Sequence, residues 1–180
     1  MTSPRHTTRD ALMHAIARRH RRQTKARWWR FGIFAALVFV ADQISKLIIR
    51  ATLDPGESVH VVRGLSISRV TNEGIAFGFF PGRQSAVAVL TVVALSAIAI
   101  SLAGLVGRNP IVAVGAGMLV GGSLGNLLDR LVHGAVTDFI DPSRWPGNVA
   151  FNLADCGITL GAALIVIGLM QDGGEDEEPD

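Results

Sequence analysis

Four long, mostly apolar stretches limit what this chain can fold into. They cover residues 31–49, 85–106, 111–132 and 151–170, and the second contains no charged side chain. A helix of about 20 residues crosses the roughly 30 Å hydrocarbon core of a bilayer. Hydrophobic residues make up 49% of the chain and charged residues only 18%, which is unusual for a soluble domain. We therefore predict an all-α integral membrane protein, a bundle of four transmembrane helices.

The polar segments divide the chain further. Residues 1–27 are basic, and Lys and Arg beside a span mark its cytoplasmic side, so we expect a partly disordered cytoplasmic extension there. An arm that binds RNA or anionic lipid is the alternative. Residues 28–172 are expected to form the membrane domain, with Trp28 and Trp29 at its headgroup boundary. Residues 173–180, GGEDEEPD, are expected to be a disordered acidic tail. Four spans place both termini in the cytoplasm.

Two outer loops connect the spans. In the first, residues 50–84, the alternating run VHVVRGLSISRV predicts short strands with a turn at Arg63-Gly64. We expect a small extracytoplasmic β-sheet that rests on the bilayer, with a plain connector as the alternative. The run TNEGIAFGFFPG follows, and its Phe side chains are apolar enough to lie at the membrane surface. Residues 133–150 are expected to be the second outer loop.

Glycines recur along the third span and suit close contact between helices in lipid. They are Gly115, Gly117, Gly121, Gly122 and Gly125. Because no strand is predicted before them, helix packing is favoured over a nucleotide-binding loop.

Polar side chains gather near the outer ends of three spans, where ionisable groups are costly and usually functional. They are Asp42 and Lys46 on the first span, Asn126, Asp129 and Arg130 on the third, and Asn152 and Asp155 on the fourth. Residues three or four apart share a helix face, so Asp42 can pair with Lys46. A snorkelled ion pair at the interface is the alternative for these two residues.

Asp138 follows the third span and can approach Asp155 if the helix ends pack together. Two close carboxylates do not both ionise readily, so one keeps its proton. Such a pair can activate water and protonate a carbonyl, which is the chemistry of peptide hydrolysis. Cys156 has no evident histidine partner, and His133 with Asp129 and Asp138 lacks a recognisable metal-ligand spacing. From spacing alone, a proton or ion pathway is an equal rival to proteolysis.

Five segments resemble the bacterial lipoprotein signal peptidase (signal peptidase II) family. They are DQISK at 42–46, NEGIAF at 72–77, GGSLGNLLDR at 121–130, GAVTDF at 134–139 and FNLAD at 151–155. The resemblance covers residues 28–170, and five motifs in the right order make it specific. It implies an aspartyl endopeptidase of the bacterial inner (cytoplasmic) membrane. Such an enzyme removes signal peptides from diacylglyceryl-modified prolipoproteins, cutting on the amino side of the lipidated cysteine.

The resemblance also implies residue roles. Asp138 and Asp155 would be the catalytic dyad, near the outer leaflet. Substrate-binding or supporting positions would be Asp42, Lys46, Asn72, Gly74, Asn126, Asp129, Arg130, Asn152 and Ala154. No cofactor or metal is implied, and the partners would be lipid-modified prolipoproteins and membrane lipids. We expect a monomer without a nucleic-acid partner. A small proton- or ion-coupled transporter that uses the same Asp residues is the alternative function.

Overall fold

The computed structural model of the protein describes residues 4–73, 84–142 and 149–173. In chain order the elements are α1 (Pro4–Thr52), β1 (Ser58–Val62), β2 (Leu65–Asn72), α2 (Gln84–Val106), α3 (Pro110–His133), β3 (Val136–Asp141) and α4 (Leu153–Gly173). The last three predicted spans match α2, α3 and α4 closely. Over the described residues the chain is therefore mostly helical with a small sheet, as the apolar stretches and the alternating run predicted.

Three helical stretches are long and apolar enough to cross a membrane, counting only the residues that the structure describes. They are Leu12–Thr52, Pro110–His133 and Leu153–Asp172. The corresponding apolar stretch in α2 is shorter, Val92–Val106. Several apolar helices are thus confirmed. The total of four spans, with α2 as one of them, stays a prediction.

Helix α1 begins far earlier than the span predicted at 31–49. It starts at Pro4, a residue suited to the first turn of a helix, and continues to Thr52. Residues 5–31 contain neither Gly nor Pro and are rich in Arg and Ala, which favour helix. The basic segment that we expected to be partly disordered is therefore helical from Pro4 onward. The acidic residues after Gly173 lie outside the described ranges.

Helix α3 lies between α1 and α4 and packs closely against both. On one side, Gly117 and Gly121 approach the α1 backbone at Phe31 and Ala35. On the other side, Gly115 and Gly122 approach the α4 backbone at Gly161 and Ala154. A side chain at any of these four glycines would overlap the neighbouring backbone. The interpretation of these glycines as helix contacts is therefore confirmed. A buried cluster joins α3 to α4 and also to α2, and consists of Val106, Ala113, Ala116, Leu119 and Ile165.

The sheet has the order β1-β2-β3, with both pairs of strands antiparallel. The predicted turn at Arg63-Gly64 joins β1 to β2, and Gly64 has a φ of 92°, which favours glycine. The third strand corrects our expectation that residues 133–150 form only a loop. Gly134, with a φ of 74°, ends α3, and the chain enters β3 two residues later. Strand β3 pairs with β2, so the segment that carries Asp138 is held in a sheet.

Candidate active site

The first turn of α4 is fixed by a reciprocal pair of hydrogen bonds. The side-chain Oδ1 of Asn152 accepts from the backbone N of Asp155 at 3.0 Å, and Oδ2 of Asp155 accepts from the backbone N of Asn152 at 3.2 Å. This is a capping box, in which the residue before the helix and the third helical residue satisfy each other's free backbone N–H. The Asp155 carboxylate is thereby held at the positive end of the helix dipole.

Asp138 lies in β3 and meets the same asparagine. Nδ2 of Asn152 donates to its Oδ1 at 2.6 Å, and Nδ2 of Asn72, at the end of β2, donates to its Oδ2 at 2.9 Å. The residue is only 2% exposed. Burial raises the pKa of the Asp138 carboxyl to about 6, the negative charge of Asp155 adds to the rise, and the two amides oppose it. Asn152 therefore binds both carboxyl groups.

Asn126 on α3 links the two carboxyl groups to a buried cation. Its Nδ2 donates to Oδ1 of Asp155 at 2.8 Å. Its Oδ1 accepts from Nδ2 of Asn152 at 3.2 Å and from Nζ of Lys46 at 2.7 Å. The amide is therefore oriented by its partners, because its oxygen faces two donors and its nitrogen faces a carboxylate.

Lys46 lies between two carboxylates near the C-terminal end of α1. Its Nζ is 2.9 Å from Oδ2 of Asp42 and 3.2 Å from Oδ2 of Asp129, and all three side chains are fully buried. The predicted Asp42–Lys46 pair is confirmed, and the alternative of an interfacial snorkelled pair is wrong. Buried charges need partners of opposite sign, and this cluster supplies them.

Asp42 also joins α1 to the start of α4. Its Oδ1 accepts from the backbone N of Ala154 at 2.9 Å, and its Oδ2 accepts from Nε2 of Gln43 at 3.1 Å. Gly125 leaves the space that Asp42 needs, since a Cβ there would lie 2.5 Å from Oδ2. Ala154 thus contributes a backbone N–H to the site, and Gly125 contributes the space that its missing side chain leaves.

Asp129 anchors the start of β3 together with Arg50, which was not among the predicted site residues. Its Oδ2 accepts from the backbone N of Thr137 at 3.1 Å. NH1 of Arg50 is 3.2 Å from Oδ1 of Asp129 and donates to Oγ1 of Thr137 at 3.1 Å. The spacing in the sequence could have identified Arg50, because Asp42, Lys46 and Arg50 follow one another at intervals of four on one face of α1.

The structure brings together most of the residues implied by the resemblance. Joined in one network are Asp42, Lys46, Asn72, Asn126, Asp129, Asp138, Asn152, Ala154 and Asp155. Arg130 lies one residue beyond Asp129, and its NH1 donates to the backbone O of Asn126 at 3.3 Å. Gly74 and the Phe-rich turn lie outside the described residues. In the part of the chain that is described, no three His, Cys, Asp or Glu side chains cluster as metal ligands.

The site has the features of acid–base hydrolysis. Two carboxyl groups approach from different elements, one buried with a raised pKa and one at a helix N-terminus. Amide side chains hold both groups, and the nearby Lys46 is paired with two other carboxylates, Asp42 and Asp129. Such a pair can keep one proton while its other member accepts another.

Comparisons with known proteins agree with this chemistry. A family model described as Signal peptidase (SPase) II matches residues 34–171. A lipoprotein signal peptidase of Halothermothrix orenii is 36% identical over 140 residues, which cover 77% of this chain and 94% of that protein. A lipoprotein signal peptidase of Caulobacter vibrioides is 39% identical over 153 residues, which cover 80% and 88%.

Two solved structures, each of a bacterial membrane enzyme, share the fold. Their TM-scores are 0.70 and 0.66 at 32% and 33% identity, and the matches cover 82% and 78% of this chain and 92% of each neighbour. Nothing in these matches supports the alternative of an ion-coupled transporter. Since the family model covers residues 34–171 and both relatives align along nearly their whole length, this chain belongs to the signal peptidase II family.

Proposed function

We propose that Asp138 and Asp155 are the catalytic dyad with which this membrane protease removes signal peptides from prolipoproteins. The bond cut would lie on the amino side of the cysteine that carries the diacylglyceryl group. The observation that carries the assignment is Asn152, which donates from its backbone N to Asp155 and from its side chain to Asp138. One residue thus holds both carboxyl groups.

The environments of the two carboxyl groups suggest their roles. Asp138, whose pKa is raised to about 6, keeps its proton more readily and is assigned as the general acid. Asp155 accepts hydrogen bonds at both oxygens, from Asn126 and from the backbone of Asn152, and is assigned as the general base. Hydrogen-bond donors at both oxygens hold the carboxylate in one orientation, from which it can take a proton from water.

The reaction then proceeds without a covalent enzyme intermediate. Asp155 takes a proton from water as the water oxygen bonds to the scissile carbonyl carbon, and Asp138 gives its proton to the carbonyl oxygen. In the collapse of the resulting diol, the C–N bond breaks and the leaving nitrogen takes the proton from Asp155. Asp138 recovers a proton from a diol hydroxyl. Both side chains are then back in their starting states.

We also propose the membrane arrangement. All four helices would span the bilayer, with both termini cytoplasmic and the dyad near the outer leaflet of the bacterial inner membrane. The basic run at 18–27 before the first apolar stretch supports this orientation. The buried Asp42–Lys46 pair, Asp129 and Asp155 lie toward the end of the bundle opposite that run. We propose that the enzyme acts as a monomer in contact with membrane lipid.

The decisive test is cleavage of a lipid-modified lipoprotein precursor by purified variants. Asp138→Asn and Asp155→Asn should each lower the cleavage rate by at least about 10²- to 10⁴-fold, the usual contribution of one acid–base group. Asp141→Asn is the matched control, because Asp141 ends the same strand β3 and is not part of the dyad. Full cleavage by either dyad variant would overturn the proposal.

A further inference from the structure

Arg50 lies in the last turn of α1 and reaches the strand that carries Asp138. Its side chain is only 18% exposed, and its NH1 contacts both Oδ1 of Asp129 and Oγ1 of Thr137. The helix end that bears Arg50 is itself held, since NH1 of Arg69 donates to the backbone O of Arg50 at 3.1 Å and of Leu53 at 2.9 Å. The guanidinium is therefore a fixed group.

Thr137 is the residue directly before Asp138 and is held from several sides. Its backbone N donates to Asp129 at 3.1 Å, its hydroxyl accepts from Arg50 at 3.1 Å, and its backbone O is 3.5 Å from Nδ2 of Asn152. Arg50 and Asp129 thus fix the main chain and the side chain of Thr137 together. A shift of Thr137 would move the next residue, Asp138, away from its two amide donors.

We propose that Arg50 is a positioning residue for the reaction, acting through Thr137 on the Asp138 carboxyl. This inference rests on the proposed role of Asp138 in the dyad. Arg50 is not a catalytic residue in this scheme, because its contacts are with Asp129 and Thr137. A misplacement of about 1 Å at a reacting group can cost on the order of 10²-fold in rate, so a contact one residue away can govern kcat.

Asp129 has a second cationic partner besides Arg50. Nζ of Lys46 lies 3.2 Å from Oδ2 of Asp129, whereas Arg50 contacts Oδ1. Removing Arg50 therefore leaves the buried carboxylate paired, and the main loss is the hold on Thr137. This separates Arg50 from Lys46, whose removal would leave two buried carboxylates short of a partner.

The test is steady-state cleavage of a lipid-modified precursor by Arg50→Gln, Thr137→Val and the double variant. Each single variant should lower kcat by about 10- to 100-fold with KM nearly unchanged, as expected for lost positioning rather than lost substrate binding. The double variant should be no slower than the worse single variant, since both changes remove the same contact. Arg50→Lys should recover much of the lost rate.

A pH profile adds a readout that a purely structural role would not move. The amides of Asn72 and Asn152 oppose the raised pKa of Asp138. Displacing Asp138 from them should therefore shift the decline of kcat/KM to higher pH in Arg50→Gln. An unchanged profile would contradict the proposal.

Two controls separate the possible outcomes. Thr52→Val removes an exposed hydrogen bond in the same last turn of α1, from Oγ1 to the backbone O of Ile48, and leaves the contacts of Arg50 and Arg69 in place, so it should keep kcat within about twofold. An equal loss of kcat in Thr52→Val, or additive effects in the double variant, would overturn the role of Arg50. If Asp138→Asn is inactive while Arg50→Gln and Thr137→Val keep the parent kcat, only this inference fails. If Asp138→Asn stays active, the dyad itself is wrong.

Discussion

Asp138 is held between the side-chain amides of Asn72 and Asn152, in a strand that buries it almost completely. Burial raises its pKa from an ordinary 3.8 to about 6, because the charged form loses its hydration. The two amide donors work in the other direction, since they stabilise the ionised form. The pKa of Asp138 therefore reflects a balance in which desolvation and the negative charge of Asp155 act against the two hydrogen bonds and the charge of Lys46.

This balance predicts a pH dependence. As the general acid, Asp138 must be protonated, so kcat/KM of the free enzyme should fall as the pH rises through about 6. Asn72→Leu removes a donor that lowers the pKa, so the decline should move to higher pH in that variant. The measurement is kcat/KM for a lipid-modified precursor between about pH 4 and pH 9, a range that extends from the ordinary carboxyl pKa to well above the expected midpoint.

Thr71→Val is the control for this measurement, because Thr71 neighbours Asn72 on β2 and is exposed. Its pH midpoint should equal that of the parent. A midpoint that moves to lower pH in Asn72→Leu would show that the hydrogen bond to Asp138 does not stabilise the ionised form.

At the scale of secondary-structure elements, α3 is the helix on which the others assemble. Glycines on one of its faces approach α1, and glycines on another approach α4. In lipid the hydrophobic effect does not drive helices together, so close backbone contact and packing supply much of the association. The polar end of α3 can contribute Asn126 and Asp129 to the site only if these contacts hold it in register with its neighbours.

Gly115 tests this role of α3. A Cβ at Gly115 would lie 2.6 Å from the backbone O of Gly161, so Gly115→Ala must push α3 and α4 apart. We expect a loss of about 1–3 kcal/mol in the free energy of unfolding, the usual cost of overpacking. Thermal unfolding of the purified protein in one detergent measures it.

The matched substitution is Gly32→Ala in α1, where no atom lies within 4 Å of the added carbon. This change should be neutral or stabilising by up to about 1 kcal/mol, because alanine favours helix over glycine. Equal melting temperatures for the Gly115 and Gly32 variants would argue against close α3–α4 contact.

Much of the architecture could be predicted because it follows from local pattern. The hydropathy runs located α2, α3 and α4, and the spacing of Asp42 and Lys46 was enough to predict their ion pair. The i, i+3 spacing of Asn152 and Asp155 placed them on one face, although it did not reveal their reciprocal capping bonds. These features depend on residues a few positions apart, where helix geometry decides the outcome.

What the sequence could not reveal depends on distant partners. Strand β3 exists because VTDFID pairs with β2, and the register joins Asn72 to Val136 across the whole of α2 and α3. Thr137 has no distinguishing local pattern, and its contact with Arg50 spans 87 positions. The early start of α1 was missed for a different reason. Its charged residues suggested disorder, yet the absence of Gly and Pro lets the helix continue.

At the scale of the whole molecule, the polar groups collect at one end of the bundle. That end combines the C-terminal part of α1, the C-terminal part of α3, the start of α4 and the three-stranded sheet. At the other end, Asn109 caps α3 and its Nδ2 donates to Oδ1 of Asp172 on α4, while Arg27 donates to the backbone O of Gly107. The two ends are therefore built differently, in keeping with two different aqueous sides.

The proposed orientation predicts which end each side of the membrane can reach. Cys156 is the single cysteine, so Cys156→Ala gives a background for introduced cysteines. In spheroplasts, a maleimide that cannot cross the inner membrane should label Ser58→Cys on β1. It should label Arg108→Cys, in the turn between α2 and α3, only after the membrane is opened. The reverse pattern would invert the topology, and retained precursor cleavage is the control for folding.

The capping box of α4 has a practical consequence for capturing substrates. The Asp155 carboxyl both closes the first turn of α4 and, by our proposal, takes the proton from water. An asparagine at this position still offers an oxygen to the backbone N of Asn152, whereas an alanine offers none. Asp155→Asn should thus keep the helix start closed while hydrolysis stops, at the loss of the hydrogen bond from Asn126. It is the substitution of choice for trapping an uncut prolipoprotein on the enzyme.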